Sequence, residues 1–481
     1  MKLKQSKVFK AGIGYTIGNV MVKGINFLAI PIFSRLLTTE EMGLYTVFAA
    51  YEAVLFVFIG MALHSSIRSA KYEFEGKIDD FTSSIMGIYW INLIVALFIS
   101  IVFNKILTKL LDLDLVTLVM LVIYSFGIAV VTLYNARISL DYEYKKYIKV
   151  SLASTIGNVG LSLILIKTIF NSSRGFGRVL GITISTVLVT VYIIYDLYKR
   201  ARPTFRKKYW KFGIKYSLPI IPHGISQVLL AQFDRIMINK MIGKSEAGIY
   251  GLVGNIKLIL AIISDSISEV WMTWFYEKMK NKEIEAVRSR ARQLCYFFLI
   301  IAIGVMSISP ELVLIIGGQK YAVGKYVAIP MILDAFVLFI YNVIVPSEYF
   351  KQKTSFIMWG TMSAAVINII TNYIFIQKYG FIAAAYTTLF AYICYMILHL
   401  VISYRLMRFS IIPVSCIALC LLSIVIIAIV DLIFIDNIFV RYLVCFAVVM
   451  FIGIKVLPEF VKENRRKAEA IYAVCRCVWS V

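Results

Sequence analysis

Mostly apolar stretches of about 20 residues, the length an α-helix needs to cross a hydrocarbon layer about 30 Å thick, follow one another along the chain between short polar segments. The run from Ile411 to Val430 is almost continuously apolar. A backbone surrounded by lipid must satisfy its hydrogen bonds within the segment, so such runs are helices. The alternation with period two that marks an outer-membrane barrel is absent from them. The pattern predicts fourteen spans near residues 10–34, 43–66, 81–104, 113–136, 148–170, 176–198, 213–239, 246–275, 293–316, 324–350, 354–377, 380–404, 410–434 and 439–458. The first, seventh and eighth are the least hydrophobic, because each carries a set of polar residues. The expected fold class is an all-α polytopic membrane protein.

Composition agrees with lipid as the solvent. With 60% hydrophobic and only 16% charged residues in 481, the chain holds more apolar surface than a soluble core of this size hides. The net charge of +23 would suit nucleic acid, but its distribution points elsewhere. Counted by loop parity with Met1 inside, about 34 of the 50 Lys and Arg fall on the inner side, which places both termini in the cytoplasm. No basic stripe with interleaved aromatics accompanies them, so no nucleic-acid partner is expected. Five of the seven cysteines, Cys295, Cys394, Cys416, Cys420 and Cys445, fall in predicted spans, and Cys475 and Cys477 in a basic tail. Neither a disulfide framework nor a metal site follows from that spacing. The basic segment Met1 to Lys10 lacks a small-residue cleavage site before the next span, and is read as leading into a retained first helix.

The chain also repeats itself. A shift of about 205 residues superposes Arg35 on Lys240, Glu41 on Glu246, Gly43 on Gly248 and Tyr45 on Tyr250. Both copies fall where the first and second helices of a six-helix half join. A basic loop containing Lys199, Arg200, Arg202, Arg206, Lys207, Lys208 and Lys211 divides the halves. The organisation expected is an N-terminal six-helix bundle at 1–198, a basic cytoplasmic linker at 199–212, a C-terminal bundle at 213–404, two appended helices at 405–458 and a basic cytoplasmic tail at 459–481. Paired parallel halves with a substrate site between them are a common transporter plan.

The stretches Ile30 to Tyr45, with its Arg35-Leu-Leu-Thr-Thr-Glu-Glu-Met-Gly-Leu-Tyr run, and Phe233 to Tyr250 resemble the signature segments of bacterial polysaccharide export proteins. These are the Wzx-type O-antigen and capsule repeat-unit flippases of the multidrug/oligosaccharidyl-lipid/polysaccharide (MOP) superfamily. The helix count, the basic central loop and the two appended helices extend the resemblance over the whole chain. It implies a V-shaped, MATE-like pair of bundles opening alternately to either side of the bacterial cytoplasmic (inner) membrane. The implied substrate is an undecaprenyl-diphosphate-linked oligosaccharide for lipopolysaccharide, capsule or exopolysaccharide, with other polysaccharide assembly proteins as further partners.

Ionisable groups inside a span are costly and normally face a bundle interior or an aqueous cavity, so each is a candidate site. In the first span Thr16, Asn19, Lys23, Asn26 and Ser34 form one polar stripe. Lys23 among asparagines suits an anionic head group, or pairs with an acid such as Glu52. In the eighth span Lys257, Asp265 and Glu269 share a wedge, and under the repeat Lys257 corresponds to Glu52, so these two either gate a cavity or simply pair. Asn19, Lys23, Asn26 and Lys257 are thus the candidate substrate-binding residues. Glu52, Asp265, Glu269, Asp234 and Arg235 are the candidates for gating or ion coupling, with Asp234 and Arg235 equally readable as an interfacial ion pair. Asp334, Tyr341 and Glu348 share a face of the tenth span, and Asn368, Thr371 and Asn372 enrich the eleventh. His64 and His399 are expected as satisfied or interfacial histidines.

No phosphate-cradling Walker run is present, so ATP is not expected as the direct energy source and no cofactor is implied. Two other readings remain open. One is a drug/cation antiporter of the same superfamily, although the lysines favour an anion. The other is a membrane-embedded polysaccharide polymerase or glycosyltransferase, although the outer loops are too short to hold an acceptor sugar.

Overall fold

The computed structural model describes residues 2–454, and all regular structure there is helical. The basic tail expected at 459–481, with Cys475 and Cys477, lies outside the described residues. Twelve helical segments among the described residues are long and apolar enough to cross a membrane. The helix Ile221–Met241 falls short only because of the polar residues noted above, and Ile438–Ile454 is apolar but shorter. Together they are compatible with fourteen crossings, and the protein is a multi-pass helical membrane protein.

The chain forms two compact units that interleave in sequence. Unit 1 contains α1 (Lys2–Leu36), α2 (Thr39–Gly60), α3 (Ser66–Glu73), α4 (Ile78–Val102), α5 (Asn104–Leu111), α6 (Leu115–Ser139), α7 (Tyr144–Thr168), α8 (Arg174–Arg200), α9 (Lys207–Ser217) and α10 (Ile221–Met241). It also takes α11 (Lys244–Lys280) as far as Asn255, together with 314–322 and 361–388. Unit 2 contains the rest of α11, α12 (Ile284–Gly317) as far as Val313, α13 (Lys325–Ile344) and α14 (Pro346–Phe350). To these it adds parts of α15 (Thr354–Tyr379) and α16 (Ile382–Met407), then α17 (Val414–Ile433) and α18 (Ile438–Ile454).

Two loops expected from the sequence are helical. The seventh span does not begin at 213: α9 is a separate helix, and the chain turns at Leu218–Ile220 before α10. Pro219 has no N–H to continue α9, and Pro222 sits in the first turn of α10, where that loss costs nothing. The aromatic residues of α9 give it its place. Tyr209 and Phe212 pack edge-on against Phe74 and Phe81, with ring centroids 4.8 to 5.9 Å apart. The basic stretch around Arg288 to Arg292 belongs to the first turns of α12, leaving only residues 281–283 between α11 and α12.

Charge networks tie helix ends in unit 1. Arg137, almost fully buried, binds Asp79 at 2.8 Å and Asp141 at 2.6 Å. Arg200 binds Glu143 at 2.8 Å and Asp196 at 3.0 Å, and Lys146 reaches both acids. Burial opposes the charge on Glu143, but the Arg200 and Lys146 cations outweigh it and hold the carboxyl below its ordinary range. The stabilisation from this group is therefore present above the ordinary carboxylate pKa and lost as pH falls through the lowered one.

The repeated segments meet each other in unit 1. Thr38 caps α2 through a reciprocal box with Glu41: the Glu41 N–H donates to Thr38 Oγ1 at 3.1 Å, and the Thr38 N–H to Glu41 Oε2 at 2.8 Å. The other carboxylate oxygen of Glu41 accepts the N–H of Arg174 at 2.8 Å, fixing the start of α8. Gly43 and Gly248 then lie face to face. A Cβ on Gly43 would stand 1.8 Å from the Lys244 carbonyl oxygen, and one on Gly248 would stand 2.2 Å from that of Thr39. Only glycine permits so close a backbone crossing, the device by which membrane helices gain packing without a hydrophobic driving force. Flanking contacts exchange partners as a two-fold axis requires. Arg35 Nη2 donates to the Ile315 carbonyl at 3.4 Å, and its counterpart Lys240 donates to that of Lys109 at 2.9 Å, one residue from the position matching Ile315.

Because neither backbone can withdraw, Gly43→Ala and Gly248→Ala should each lose about 1–3 kcal/mol or more, seen as a lower unfolding temperature of the purified protein. Gly160→Ala should leave that temperature unchanged, since a Cβ there meets nothing within 4 Å.

Candidate substrate site

The polar stripe of α1 is uncovered from Thr16 to Asn26, whereas Ser34 is buried and donates to the Ile316 carbonyl. Asn19, Lys23 and Asn26 are exposed, and Tyr147 of α7 donates to Asn19. No ion pair of Lys23 occurs among the described residues, so its expected alternative partner, Glu52, does not hold it. Glu52 is half-buried on α2, and Tyr124 lies within electrostatic reach of it and of Arg178.

Lys257 is held differently. It forms a salt bridge with Asp334 of α13 within unit 2, and its ammonium sits 5.1 Å from the centre of the Tyr392 ring. Asp334 is 1% exposed, so the pair is internal. Asp265 and Glu269, further along α11, are exposed. Between them and Lys257, the Ser264 hydroxyl accepts the Asn342 amide at 3.1 Å.

Asp234 is the hub of a buried network in unit 1. One carboxylate oxygen accepts the hydroxyls of Tyr250 and Thr388, both at 2.7 Å, and the other accepts the Asn372 amide at 2.6 Å. Asn368 donates to Thr388 at 2.9 Å, and Thr387 donates to Asn372. Asn368 and Asn372 of the eleventh span are therefore brought into the network of the seventh by the fold, while Thr371 donates to carbonyls of its own helix. Arg235 donates to Gln232 in this structure rather than to Asp234.

Three internal charge sites were not assembled from the sequence, in which Glu348 and His399 were noted only singly. Arg178 is buried between the rings of Phe33 (3.7 Å) and Tyr45 (4.8 Å), and donates to Ser162 and to the Asn158 carbonyl. Arg441 of α18 is 1% exposed and makes a two-pronged bond to Glu311 of α12 while also donating to the Ser307 carbonyl. Asp431 accepts from the Ser307 hydroxyl at 3.1 Å. The appended helices are thus stapled to α12 by charge. The third site is Glu348 with His399, both fully buried, with Oε1 and Nδ1 2.5 Å apart.

Polar networks buried within bundles of membrane-length helices define a multi-pass helical membrane protein. Over 93% of this chain and 100% of the other, the fold matches a structure described as lipid II flippase MurJ in an inward closed conformation, with a TM-score of 0.76 at 15% identity. It matches an inward-facing MATE family multidrug transporter of the MOP superfamily over 83% of this chain and 98% of the other, with a TM-score of 0.65 at 12% identity. Residues 8–279 match the family described as polysaccharide biosynthesis protein, and the chain belongs to that family. Among its relatives are the capsular polysaccharide biosynthesis protein CapF of Staphylococcus aureus, 25% identical over 77% of this chain and 93% of that one, and Lsg locus putative protein 1 of Haemophilus influenzae, 22% identical over 75% and 89%. A third is the probable low-salt glycan biosynthesis flippase Agl15 of Haloferax volcanii, 21% identical over 81% and 82%.

The internal pair in unit 2 gives a direct test. Lys257→Gln leaves Asp334 buried without its cation and should cost about 3–5 kcal/mol, read as a fall in unfolding temperature. The double variant Lys257→Met with Asp334→Leu removes both charges and should recover most of it.

Proposed function

We propose that the chain flips an undecaprenyl-diphosphate-linked oligosaccharide across the cytoplasmic membrane by alternating access, with both termini in the cytoplasm. The observation that carries this reading is the uncovered polar stripe of α1. An exposed ammonium at membrane depth costs about 2.5–3.5 kcal/mol on insertion scales when it faces hydrocarbon, so Lys23 must face water or a ligand. A diphosphate meets that charge, and Asn19 and Asn26 supply neutral donors one turn to either side. Lys257 shares its charge with Asp334 and serves the same ligand only when that pair opens.

Membership of the polysaccharide biosynthesis family supports a glycan as cargo, and the naming of Agl15 as a probable glycan biosynthesis flippase supports transport over synthesis. Movement of the diphosphate head alone has no chemical step, so no catalytic residue is assigned. In this reading Asp234 is the carboxylate through which an ion couples to transport, since its three hydroxyl and amide donors join α10, α11 and the segment 361–388. Glu52, Asp265, Glu269 and Arg235 remain as gating groups. The other polysaccharide assembly proteins are partners on either side of the membrane step.

The test is export of the surface glycan in cells whose only copy carries a variant. Lys23→Gln should abolish surface glycan and accumulate its lipid-linked precursor at normal membrane abundance of the protein, while Lys23→Arg should keep partial export. Full export by Lys23→Gln would exclude the cationic site.

A further inference from the structure

Unit 2 contains a line of buried ionisable groups that a binding role for Lys23 leaves unused. Asp334, Tyr341 and Glu348 follow one another at seven-residue spacing along α13 and into α14, and so stay near one face. Tyr392, Tyr395, His399 and Ser403 occupy the matching face of α16. All seven side chains are buried. The two rows meet rung by rung. Lys257, paired with Asp334, lies over Tyr392. Tyr341 and Tyr395 have ring centres 4.4 Å apart, which brings the two tyrosines into one tilted stack beside His399. The His399 ring lies edge-on to both tyrosines at 4.9 and 4.5 Å and meets Glu348, and Ser403 is bonded to Ser347 at 2.9 Å. From Asp334 to Glu348 the line runs about 20 Å at 1.5 Å per residue.

The Glu348–His399 pair is built to hold a proton. Glu348 Oε2 and His399 Nε2 are both buried without a hydrogen-bond partner, so each partner keeps one site at which a proton can be gained or lost. Room for the imidazole comes from α15, where a Cβ on Gly360 would stand 2.3 Å from Nε2. The groups facing the pair are few. They are Tyr341 from α13, Tyr349 and Ser347 from α14, Tyr395 and Ser403 from α16, and Tyr276 of α11 beyond Tyr349. The backbone N–H of Lys353 donates to the Glu348 carbonyl. No second acid or cation is among these contacts. With one proton between them, imidazole and carboxylate are neutral as a pair, and adding or removing one makes a net buried charge, which is how a fixed site senses and releases a single proton.

We propose that Glu348 and His399 form a proton-binding site that exchanges through the hydroxyls of Tyr395 and Tyr341, and that its loading and unloading accompany transport. The last clause rests on the flippase reading, while the proton binding does not. Protons taken up per chain are counted by titrating the purified full-length protein in nanodiscs, in weak buffer with an indicator dye, between about pH 4 and 10, a range wide enough for a pair in which an added or removed proton leaves a buried net charge. The double variant Glu348→Gln with His399→Gln keeps the volume and one hydrogen bond, and should take up about one proton fewer per chain than the wild type over that range. Identical titration curves would overturn the site. Tyr395→Phe should keep the count and slow proton release after a pH jump by about tenfold; an unchanged release rate would remove the tyrosines from the path. In cells, the double variant should lose surface glycan about tenfold at normal abundance, and full export alongside a missing proton would overturn the link to transport. If removal of the whole chain leaves surface glycan unchanged, the flippase reading fails, and the proton count is still read without it.

Discussion

Two helix backbones can touch in lipid only where no side chain stands between them, and the architecture of unit 1 turns on one such place. At Gly43 and Gly248 the second helix and the start of α11 approach so closely that a single methyl group on either would overlap a carbonyl oxygen. The elements nearby are set by that approach. Glu41, two residues before Gly43, caps its own helix and the start of α8, and Ser245 bonds Thr39 at 2.8 Å across the crossing. Arg35 and Lys240 reach carbonyls of the opposite repeat beside it. Because both glycines belong to copies of one segment, the contact is made by each copy with the other, and a short repeat acquires a fixed geometry.

Charge at membrane depth follows a second rule: most of the charged groups buried among the described helices are paired. Lys257 has Asp334, Arg441 has Glu311, Glu348 has His399, and Asp234 is surrounded by hydroxyl and amide donors. Arg178 has aromatic faces in place of an acid. Such pairs are weak evidence of stability in themselves, since the cost of removing two ions from water offsets much of their attraction. They do fix which helices adjoin. Lys23 has no such partner and lies on an uncovered face, which is why the substrate reading rests on α1 rather than on the richer set of charges elsewhere.

Much of this was legible in the sequence. Apolar run length located the membrane helices, and the repeat at Glu41, Gly43 and Tyr45 marked the two segments that the fold brings together, though not their contact. The polar stripe of α1 was also readable, because it lies within a single helix with fixed periodicity. Partners were harder. Lys257 was read as substrate-binding or, by repeat symmetry, as a partner of Glu52, whereas Asp334, on a helix about 77 residues away in sequence, pairs with it. His399 looked like an ordinary satisfied histidine until the fold placed it against Glu348. The start of the seventh span was missed because apolar content alone does not separate a short amphipathic helix such as α9 from the crossing helix that follows it, although Pro219 carried the signal. Pairing between distant helices leaves no periodic trace in one chain.

The central claim is movement of a diphosphate-linked glycan between leaflets, and reconstitution measures it without a cell. Lipid-linked oligosaccharide extracted from the membranes of the source cells is placed in liposomes, and the fraction reached by a membrane-impermeant glycan-oxidising reagent is followed. With the purified protein present, sugar in the inner leaflet should become reactive over time, approaching complete labelling, while protein-free liposomes should stop at the outer-leaflet fraction. Labelling that stops at the same fraction with and without the protein, in vesicles where its incorporation is verified, would contradict the account.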